Sequence, residues 1–286
     1  MARPSGKIDT RAIGLDAGLS LARWLTGSEH LHYGLWDGLA PIAANLGAAQ
    51  EAYTAHLLSF LPEGPLRILD VGGGAGATAG RLIALGHAVE IVVPSPLLAE
   101  RCRANAPGAV VHQCKLEEYA GTGVFDVVLF SESWQYIPQE KSFAAAAARL
   151  APGGTLLIAD VFRSEHYDGV GRIRKVGGGH RLSAFQDALS SQPFEITAKD
   201  DITDRAAPSI DVEQGLYAVI GDALLRIDAE LAARRPLAWR LTRGALRLAL
   251  SSRRRERLAA RLFERQRTGE AFRRYNRYMI FRLRRV

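Results

Sequence analysis

Apolar and polar residues follow two alternating patterns along the middle of this chain, between residues 66 and 162. Short apolar runs, typical of buried strands, are mostly followed by stretches with the three- and four-residue spacing of a helix. This alternation predicts a parallel β-sheet covered by helices on both faces. The predicted strands are Leu66 to Val71, Val89 to Val93, the stretch around Val110 and Val111, Phe125 to Phe130, and Thr155 to Phe162.

The segments on either side of this region have mainly helical spacing. Residues 8–62 are interrupted only by the glycine- and aromatic-rich stretch HLHYGLWDG. Residues 211–270 are predicted to form helices broken near Pro236 and Ser251, because proline and serine favour helix starts. Two further strands are predicted, at Phe194 to Asp200 and at Tyr278 to Arg284.

Charge is distributed unevenly between the two ends of the chain. Residues 223–286 hold 19 arginines, no lysine and five acids, a net charge of +14. The whole chain carries +7, so the preceding residues sum to −7. A mildly acidic body therefore ends in a strongly basic region.

Composition excludes several classes of protein. The two cysteines, Cys102 and Cys114, have no metal-ligand spacing around them and imply no disulfide framework, so we expect no metal site. No run of about 18 apolar residues predicts a membrane span, and the first residues lack the apolar core of a secretory signal. We expect a cytoplasmic protein.

The most specific local pattern is ILDVGGGAG, from Ile68 to Gly76, an apolar strand running into a glycine-rich turn that opens a helix. Glycine lets a ligand approach the backbone, and the free N–H groups at the helix start favour anionic ligand atoms. Dinucleotide-binding proteins share this pattern, so by itself it is weak evidence. Asp70 suits a ligand with a positively charged amino group better than it suits a pyrophosphate.

Four motifs in this order resemble the core of the class I S-adenosylmethionine (SAM) dependent methyltransferases: ILDVGGGAG, PSPLLAERCRAN, FDVVLFSESWQYIP and RLAPGGTLLIADVF. The resemblance implies a Rossmann-like α/β sheet of seven strands with helical additions at both ends. It also implies SAM as cofactor and S-adenosylhomocysteine as product. The residues expected to bind the cofactor are Asp70, Gly72, Gly74, Gly76, Ser95, Glu117 and Ser131.

Two further segments resemble the tocopherol, geranyl diphosphate and sugar methyltransferase branch of that family. HYGLWDG is similar to its segment before the core, and SESWQYIP to its segment after the fourth strand. The resemblance implies that Glu132 and Tyr136 have catalytic roles, although Tyr136 stands where a histidine is more usual. It places these residues at the acceptor: His32, Tyr33, Trp36 and Ser133.

With this resemblance, the chain divides into three parts. Residues 1–62 form an N-terminal helical cover, and residues 63–205 form the SAM-binding core. Residues 206–286 form a basic helical region and a closing strand packed on the core.

The sequence departs from the family at two positions. Val93 stands at the end of the second strand, where an acid usually binds the ribose hydroxyls, and Lys115 or Glu117 falls where an acid usually binds adenine.

Because of these departures, we keep two functions open. The first is a methyltransferase acting on a small hydrophobic or lipid-like acceptor such as a quinone or an isoprenoid. The second is a related fold that no longer transfers methyl groups and serves as a binding module or partner subunit. A nicotinamide-dependent oxidoreductase is disfavoured by the missing ribose acid.

The basic region has apolar residues at helical spacing with arginines between them, the pattern of a basic amphipathic helix. Three interpretations remain: peripheral contact with an anionic membrane, a solvated arginine face, or attraction of an anionic acceptor. Binding to nucleic acid is disfavoured, because no known nucleic-acid module accompanies the charge.

Overall fold

The computed structural model describes residues 10–167 and 178–286. Within these residues, seven strands form one sheet. The strands are β1 (Arg67–Val71), β2 (Ala88–Val92), β3 (Val110–His112), β4 (Phe125–Ser131), β5 (Leu150–Arg163), β6 (Phe194–Asp201) and β7 (Asn276–Arg285). The predicted α/β fold with a seven-stranded sheet is confirmed.

The helices of the described residues show the predicted breaks before Pro236 and after Leu250, but the break between the first two helices spans residues 27–45 and is longer than HLHYGLWDG alone. They are α1 (Thr10–Thr26), α2 (Leu46–Leu58), α3 (Ala77–Ala84), α4 (Pro96–Asn105), α5 (Gln139–Arg149), α6 (Leu182–Leu189), α7 (Thr203–Ala206), α8 (Pro208–Arg234), α9 (Pro236–Ala249), α10 (Ser252–Leu262) and α11 (Gly269–Tyr275). None of them has the length and apolar character needed to cross a bilayer.

The order of the strands in the sheet is β3-β2-β1-β4-β5-β7-β6. Strands β1 to β5 pair in parallel, and β7 pairs antiparallel with both β5 and β6. Because the chain runs outward from β1 to β3 and then returns to β4, the strand order reverses between β1 and β4. Ligands of open α/β sheets bind beyond the carboxyl ends of the strands at such a reversal.

Helices bury both faces of the sheet, and side chains alternate between the faces along each strand. On one face Ile68 and Val127 pack in a core with side chains from α2, α3 and α4. On the other face Leu69 and Val128 pack with Trp134 and with side chains from α5 and α6. The central strands are therefore held rigidly beneath their carboxyl ends.

Strand β7 lies inside the sheet, between β5 and β6. The boundary that the sequence suggested at residue 205 would separate β7 from β5 and β6, its two partner strands. Strand β7 is therefore a member of the core sheet and not an addition packed on it. Helices α8, α9 and α10 are inserted between β6 and β7 along the chain.

Candidate active site

A cavity of about 1040 Å³ lies at the carboxyl ends of β1, β2 and β4. Its lining comes from stretches within residues 29–32, 70–78, 92–98, 115–117 and 131–137. The strand reversal, the glycine turn and the segment after β4 therefore meet in one place, although they are far apart in the sequence.

The glycine turn forms one wall of this cavity. The N–H of Gly72 donates to the carbonyl of Val92 at 2.8 Å, and the φ of Gly72 is +76°. A Cβ at this position would lie 2.4 Å from the Cβ of Ser133, so only glycine fits. At Gly74, with φ of +55°, the only heavy atom that a Cβ would approach within 4 Å is Cδ1 of Leu31, at 3.8 Å. The turn therefore leaves room beside Gly74 for a ligand.

Asp70 lines the cavity beneath this turn and is 1% exposed. Its Oδ2 atom is buried and has no hydrogen-bond partner among the described residues. Burial raises the pKa of the carboxyl to about 7. An orphaned buried acceptor costs free energy unless a ligand or water satisfies it. A cationic ligand group would supply that interaction and stabilise the ionised form.

Strand β2 offers no acid to the cavity. Val93 is 1% exposed and lines the wall at the position where the family has its ribose acid. Ser95 also lines the cavity, and its Oγ accepts from the N–H of Leu98 at 3.4 Å as the N-cap of α4. Lys115 and Glu117 both line the rim, and Glu117 accepts from Lys141 at 3.5 Å. On this side, Glu117 is the acid within reach of a ligand.

Glu132 is held in an uncommon backbone conformation directly after β4. Its φ is +54°, a value that residues other than glycine seldom adopt and that often occurs at functional sites. Oε1 of Glu132 accepts from the N–H of Tyr33 at 2.9 Å and from the hydroxyl of Tyr278 at 2.7 Å. The carboxyl therefore has a fixed orientation against the cavity that it lines.

Burial raises the pKa of Glu132 to about 7, and the two hydrogen bonds from Tyr33 and Tyr278 only partly offset that effect. Burial also raises the pKa of Tyr278 well above its ordinary value, so its hydroxyl keeps its proton and remains a donor. Near neutral pH, Glu132 is thus present in both protonation states, which is the condition that suits a general base.

A second buried carboxyl, that of Asp160 on β5, contacts the segment that follows β4 and carries Glu132. It accepts from the N–H of Gln135 at 3.0 Å and from the N–H of Val161 at 2.7 Å. Burial raises its pKa to about 8, against the effect of these donors. Asp160 does not line the cavity, so it supports the turn that carries Glu132 and Tyr136.

Replacing Asp160 with asparagine is expected to shift the free energy of unfolding, relative to wild type, in favour of the variant as pH rises. In the unfolded chain this carboxyl ionises at its ordinary low pKa, whereas in the folded protein it stays protonated to about pH 8. Wild type therefore loses stability over that interval, by up to about 1.4 kcal/mol per pH unit, and the variant does not. Urea unfolding of both proteins at about pH 5 and about pH 8 measures the difference. Asp187→Asn, on the exposed side of α6, controls for loss of a surface carboxylate. A difference between wild type and Asp160→Asn that does not change with pH would contradict this account.

His32 lines the cavity, but its ring nitrogens are already engaged. Nδ1 donates to the carbonyl of Tyr33 at 2.8 Å, and Nε2 lies 3.0 Å from Nδ1 of His30 and 3.1 Å from Oγ1 of Thr54. Burial, and then the neighbouring His30, lower the pKa of His32 to about 3. His32 is therefore neutral and shapes the wall of the cavity.

Three residues expected at the site lie outside the cavity lining. Trp36 is buried, and its Nε1 donates to Oγ of Ser209 at 2.8 Å, which ties the N-terminal segment to α8. The Tyr33 ring packs edge-on against Phe272 and Tyr278, and the residue reaches Glu132 only through its backbone N–H. Gly76 is the N-cap of α3, where a Cβ would lie 2.8 Å from Cα of Cys102. These three residues therefore support the residues that line the cavity. The structure brings the other expected residues to the lining: Asp70, Gly72, Gly74, Ser95, Glu117, Ser131, Glu132, Ser133, Tyr136 and His32.

The sequence did not predict that Glu29 and Tyr53 contribute to the site. Glu29 lines the cavity, and its carboxylate accepts from Nε of Arg101 at 2.8 Å and from Nδ2 of Asn105 at 2.7 Å. Partial burial raises the pKa of Glu29, but these hydrogen bonds outweigh burial and hold it below its ordinary value. The hydroxyl of Tyr53 lies 3.1 Å from Oγ of Ser131, beside Glu132. Both contacts join residues that are far apart in the sequence.

Comparison with known proteins agrees with this architecture. A family model described as a methyltransferase domain matches residues 46–193, just over half of the chain. A protein of Mycobacterium tuberculosis named only as an uncharacterized methyltransferase is 30% identical over 145 residues, which are 48% of this chain and 58% of that protein. The aligned stretch thus spans less than two thirds of this relative.

Solved structures share the fold at low sequence identity. The geranyl diphosphate C-methyltransferase of Streptomyces coelicolor, in complex with S-adenosylhomocysteine, superposes with a TM-score of 0.67 at 14% identity over all of both chains. The 4+2 cyclase SpnF superposes with a TM-score of 0.66 at 17% identity, over 100% of this chain and 99% of SpnF. Together with the family match and the glycine turn, these findings assign the fold, and the chain belongs to the class I SAM-dependent methyltransferase family.

Proposed function

We propose that this chain transfers a methyl group from SAM to a small hydrophobic or lipid-like acceptor. The observation that carries the proposal is the position of Glu132, a buried carboxyl in left-handed backbone that shares one cavity with the glycine turn. In that cavity the glycine turn and Asp70 are suited to a cofactor, and Glu132 is able to act on an acceptor.

The residues present fit the methionine part of SAM. Gly74 leaves the backbone open, Gly72 lets the turn pack against Ser133, and Asp70 presents a buried oxygen that has no partner within the described chain. When bound, SAM supplies an electrophilic methyl group on a sulfonium centre. For the nucleoside, Glu117 and Ser95 are the polar side chains that could receive ribose or adenine, because the side chain of Val93 cannot accept a hydrogen bond.

Glu132 would act on the acceptor. As a carboxylate it would remove a proton from a hydroxyl or an amine, or stabilise positive charge that develops on an alkene. Tyr278 would hold it in position, since its hydroxyl donates to Oε1 of Glu132. Ile137, in the same segment as Glu132, adds an apolar side chain to the lining and favours an acceptor with an apolar body.

The test is methyl transfer from isotope-labelled SAM to matched acceptors. The panel contains a quinol, an isoprenyl diphosphate, a hydroxylated fatty acid and, as a polar comparison, a sugar. We expect S-adenosylhomocysteine to form with at least one apolar acceptor and not with the sugar. Turnover confined to the sugar would contradict the proposed acceptor class. SAM binding without transfer to any of the four would contradict the proposed reaction.

The second candidate is a SAM-fold protein that does not transfer methyl groups. Val93 and Lys115 favour it, since each replaces a hydrogen-bond acceptor that the family uses for the nucleoside. Losing one such acceptor costs about 1.5–3 kcal/mol, or roughly ten- to a hundredfold in affinity. This candidate predicts that SAM binds weakly and that replacing Val93 with aspartate tightens binding.

A further inference from the structure

Helices α8, α9 and α10, residues 208–262, form a three-helix insertion between β6 and β7. We call it the helical insertion. The structure describes all of α9, and none of its residues is buried. Ordinary surface helices bury an apolar stripe against the body of the protein, and α9 does not. Its apolar residues therefore call for a different explanation.

Helix α9 attaches to α8 through one side only. Nε1 of Trp239 donates to Oδ1 of Asp228 at 2.9 Å, and Nη1 of Arg243 lies 3.9 Å from Oδ2 of the same carboxylate. These contacts fix the orientation of α9 about its own axis. The opposite side of the helix faces outward.

That outward side carries three leucines, which are 74%, 75% and 91% exposed: Leu237, Leu241 and Leu248. Positions four and eleven residues apart lie within about 40° of each other around a helix, so the three form one stripe. Large apolar side chains aligned on one face of a helix at this exposure are unusual on a protein surface and are typical of contact sites.

Arginines border the stripe on one side. Arg240 and Arg247 lie about 60–80° from Leu237 around the helix, and both are exposed. In the part of the chain that the structure describes, neither has a carboxylate partner. Exposed Arg255 on α10 reaches back to the carbonyls of Arg247 and Leu250, at 2.8 Å and 3.2 Å. The helical insertion thus joins an apolar stripe to a concentrated positive charge.

The positive charge beside the leucines indicates which class of partner can bind this surface. A second copy docked face to face would oppose two regions that each carry the same excess of arginine, and like charges disfavour that contact. Nucleic acid would meet leucines where phosphate contacts are needed. An anionic bilayer satisfies both features, because its headgroups pair with guanidinium groups while its acyl boundary receives the leucines.

We propose that the helical insertion binds the surface of membranes that contain anionic lipids, with Leu237, Leu241 and Leu248 entering the acyl boundary. Binding has two parts, an electrostatic attraction that salt screens over about 8 Å and an apolar insertion that salt does not weaken.

The test is flotation of the full chain with phosphatidylglycerol–phosphatidylcholine vesicles and with pure phosphatidylcholine vesicles, without SAM or acceptor. We expect flotation with the anionic vesicles at low salt, release as salt rises, and little binding to the neutral vesicles. Arg240→Gln with Arg247→Gln should weaken binding more than tenfold, since each basic residue near the surface contributes about fivefold. Arg81→Gln with Arg103→Gln removes the same charge from exposed positions of α3 and α4 and should not weaken binding.

A separate variant tests the apolar contribution to membrane binding. Leu248→Ser should abolish flotation at intermediate salt, whereas Leu85→Ser, at a half-exposed position after α3, should not. Absence of flotation by wild type would overturn the proposal, as would equal flotation of wild type and both helical-insertion variants. A dimer in solution that Leu248→Ser dissociates, without vesicle binding, would assign the stripe to self-association and also overturn it. Because no substrate is present, none of these outcomes bears on methyl transfer.

Discussion

Replacing Gly74 with valine is expected to abolish SAM binding while the protein still folds. The position has a φ of +55° and lines the cavity, so the new side chain would occupy the space beside the glycine turn. A β-branched residue in left-handed backbone costs about 1–3 kcal/mol, less than the about 5–15 kcal/mol that stabilises a typical domain. Calorimetric titration should show at least about a hundredfold loss of affinity, and circular dichroism should show a folded chain.

A matched control separates the ligand effect from backbone strain. Gly86, after α3, has a φ of +90°, and a Cβ at this position would have no heavy atom within 4 Å. It lies outside the cavity lining. Gly86→Val therefore introduces similar strain and should bind SAM like wild type. Near-normal binding by Gly74→Val would show that the ligand does not approach this turn.

Replacing Glu132 with glutamine is expected to reduce turnover by about 10²–10⁴-fold, the usual contribution of a general acid or base. Glutamine keeps the size of the side chain and can still accept from Tyr33 and Tyr278, but it cannot take up a proton. SAM affinity should change by less than about threefold, because the carboxyl of Glu132 is held by Tyr33 and Tyr278 and not by Asp70 or the glycine turn. Single-turnover rates and SAM titrations measure the two quantities separately. Equal losses in rate and in affinity would mean that Glu132 belongs to the cofactor site.

Two further comparisons sharpen this prediction. Glu118→Gln makes the same change at an exposed position just outside the cavity lining and should leave turnover unchanged. With a hydroxyl or amine acceptor, wild-type turnover should fall as pH drops below about 7, where Glu132 becomes protonated. An ordinary exposed carboxylate would lose activity only at much lower pH. A rate that is constant between about pH 5 and about pH 8 would contradict the role of Glu132 as base.

The order of the elements was predictable because each one has a local signal. Strand β1 was predicted from Leu66 to Val71 and is observed at Arg67–Val71, and the break before Pro236 follows from the geometry of proline at a helix start. The glycine turn was predictable for the same reason, since its requirement is local and steric. Placing β7 within the sheet was not, because strand order depends on pairings between segments more than a hundred residues apart.

The partners of the site residues were less predictable. The hydroxyl of Tyr278 donates to Glu132, which is 146 residues away in the sequence, and no local sequence pattern near either residue predicts that contact. Trp36 was expected to lie at the acceptor, but its indole N–H donates to Ser209 inside the protein. Asp160 had a usable signal, an acid within an otherwise apolar strand, which predicts either a function or a buried hydrogen-bond acceptor.

Calorimetric titration of the wild-type chain with SAM, and separately with S-adenosylhomocysteine, tests the central claim most directly. The cavity beside Asp70 and Gly74 predicts saturable binding of one molecule of either ligand per chain, competitive between the two, with a matching rise in thermal stability. No heat of binding and no thermal shift with either ligand at millimolar concentration would contradict the account, and would leave a methyltransferase fold that does not use this cofactor.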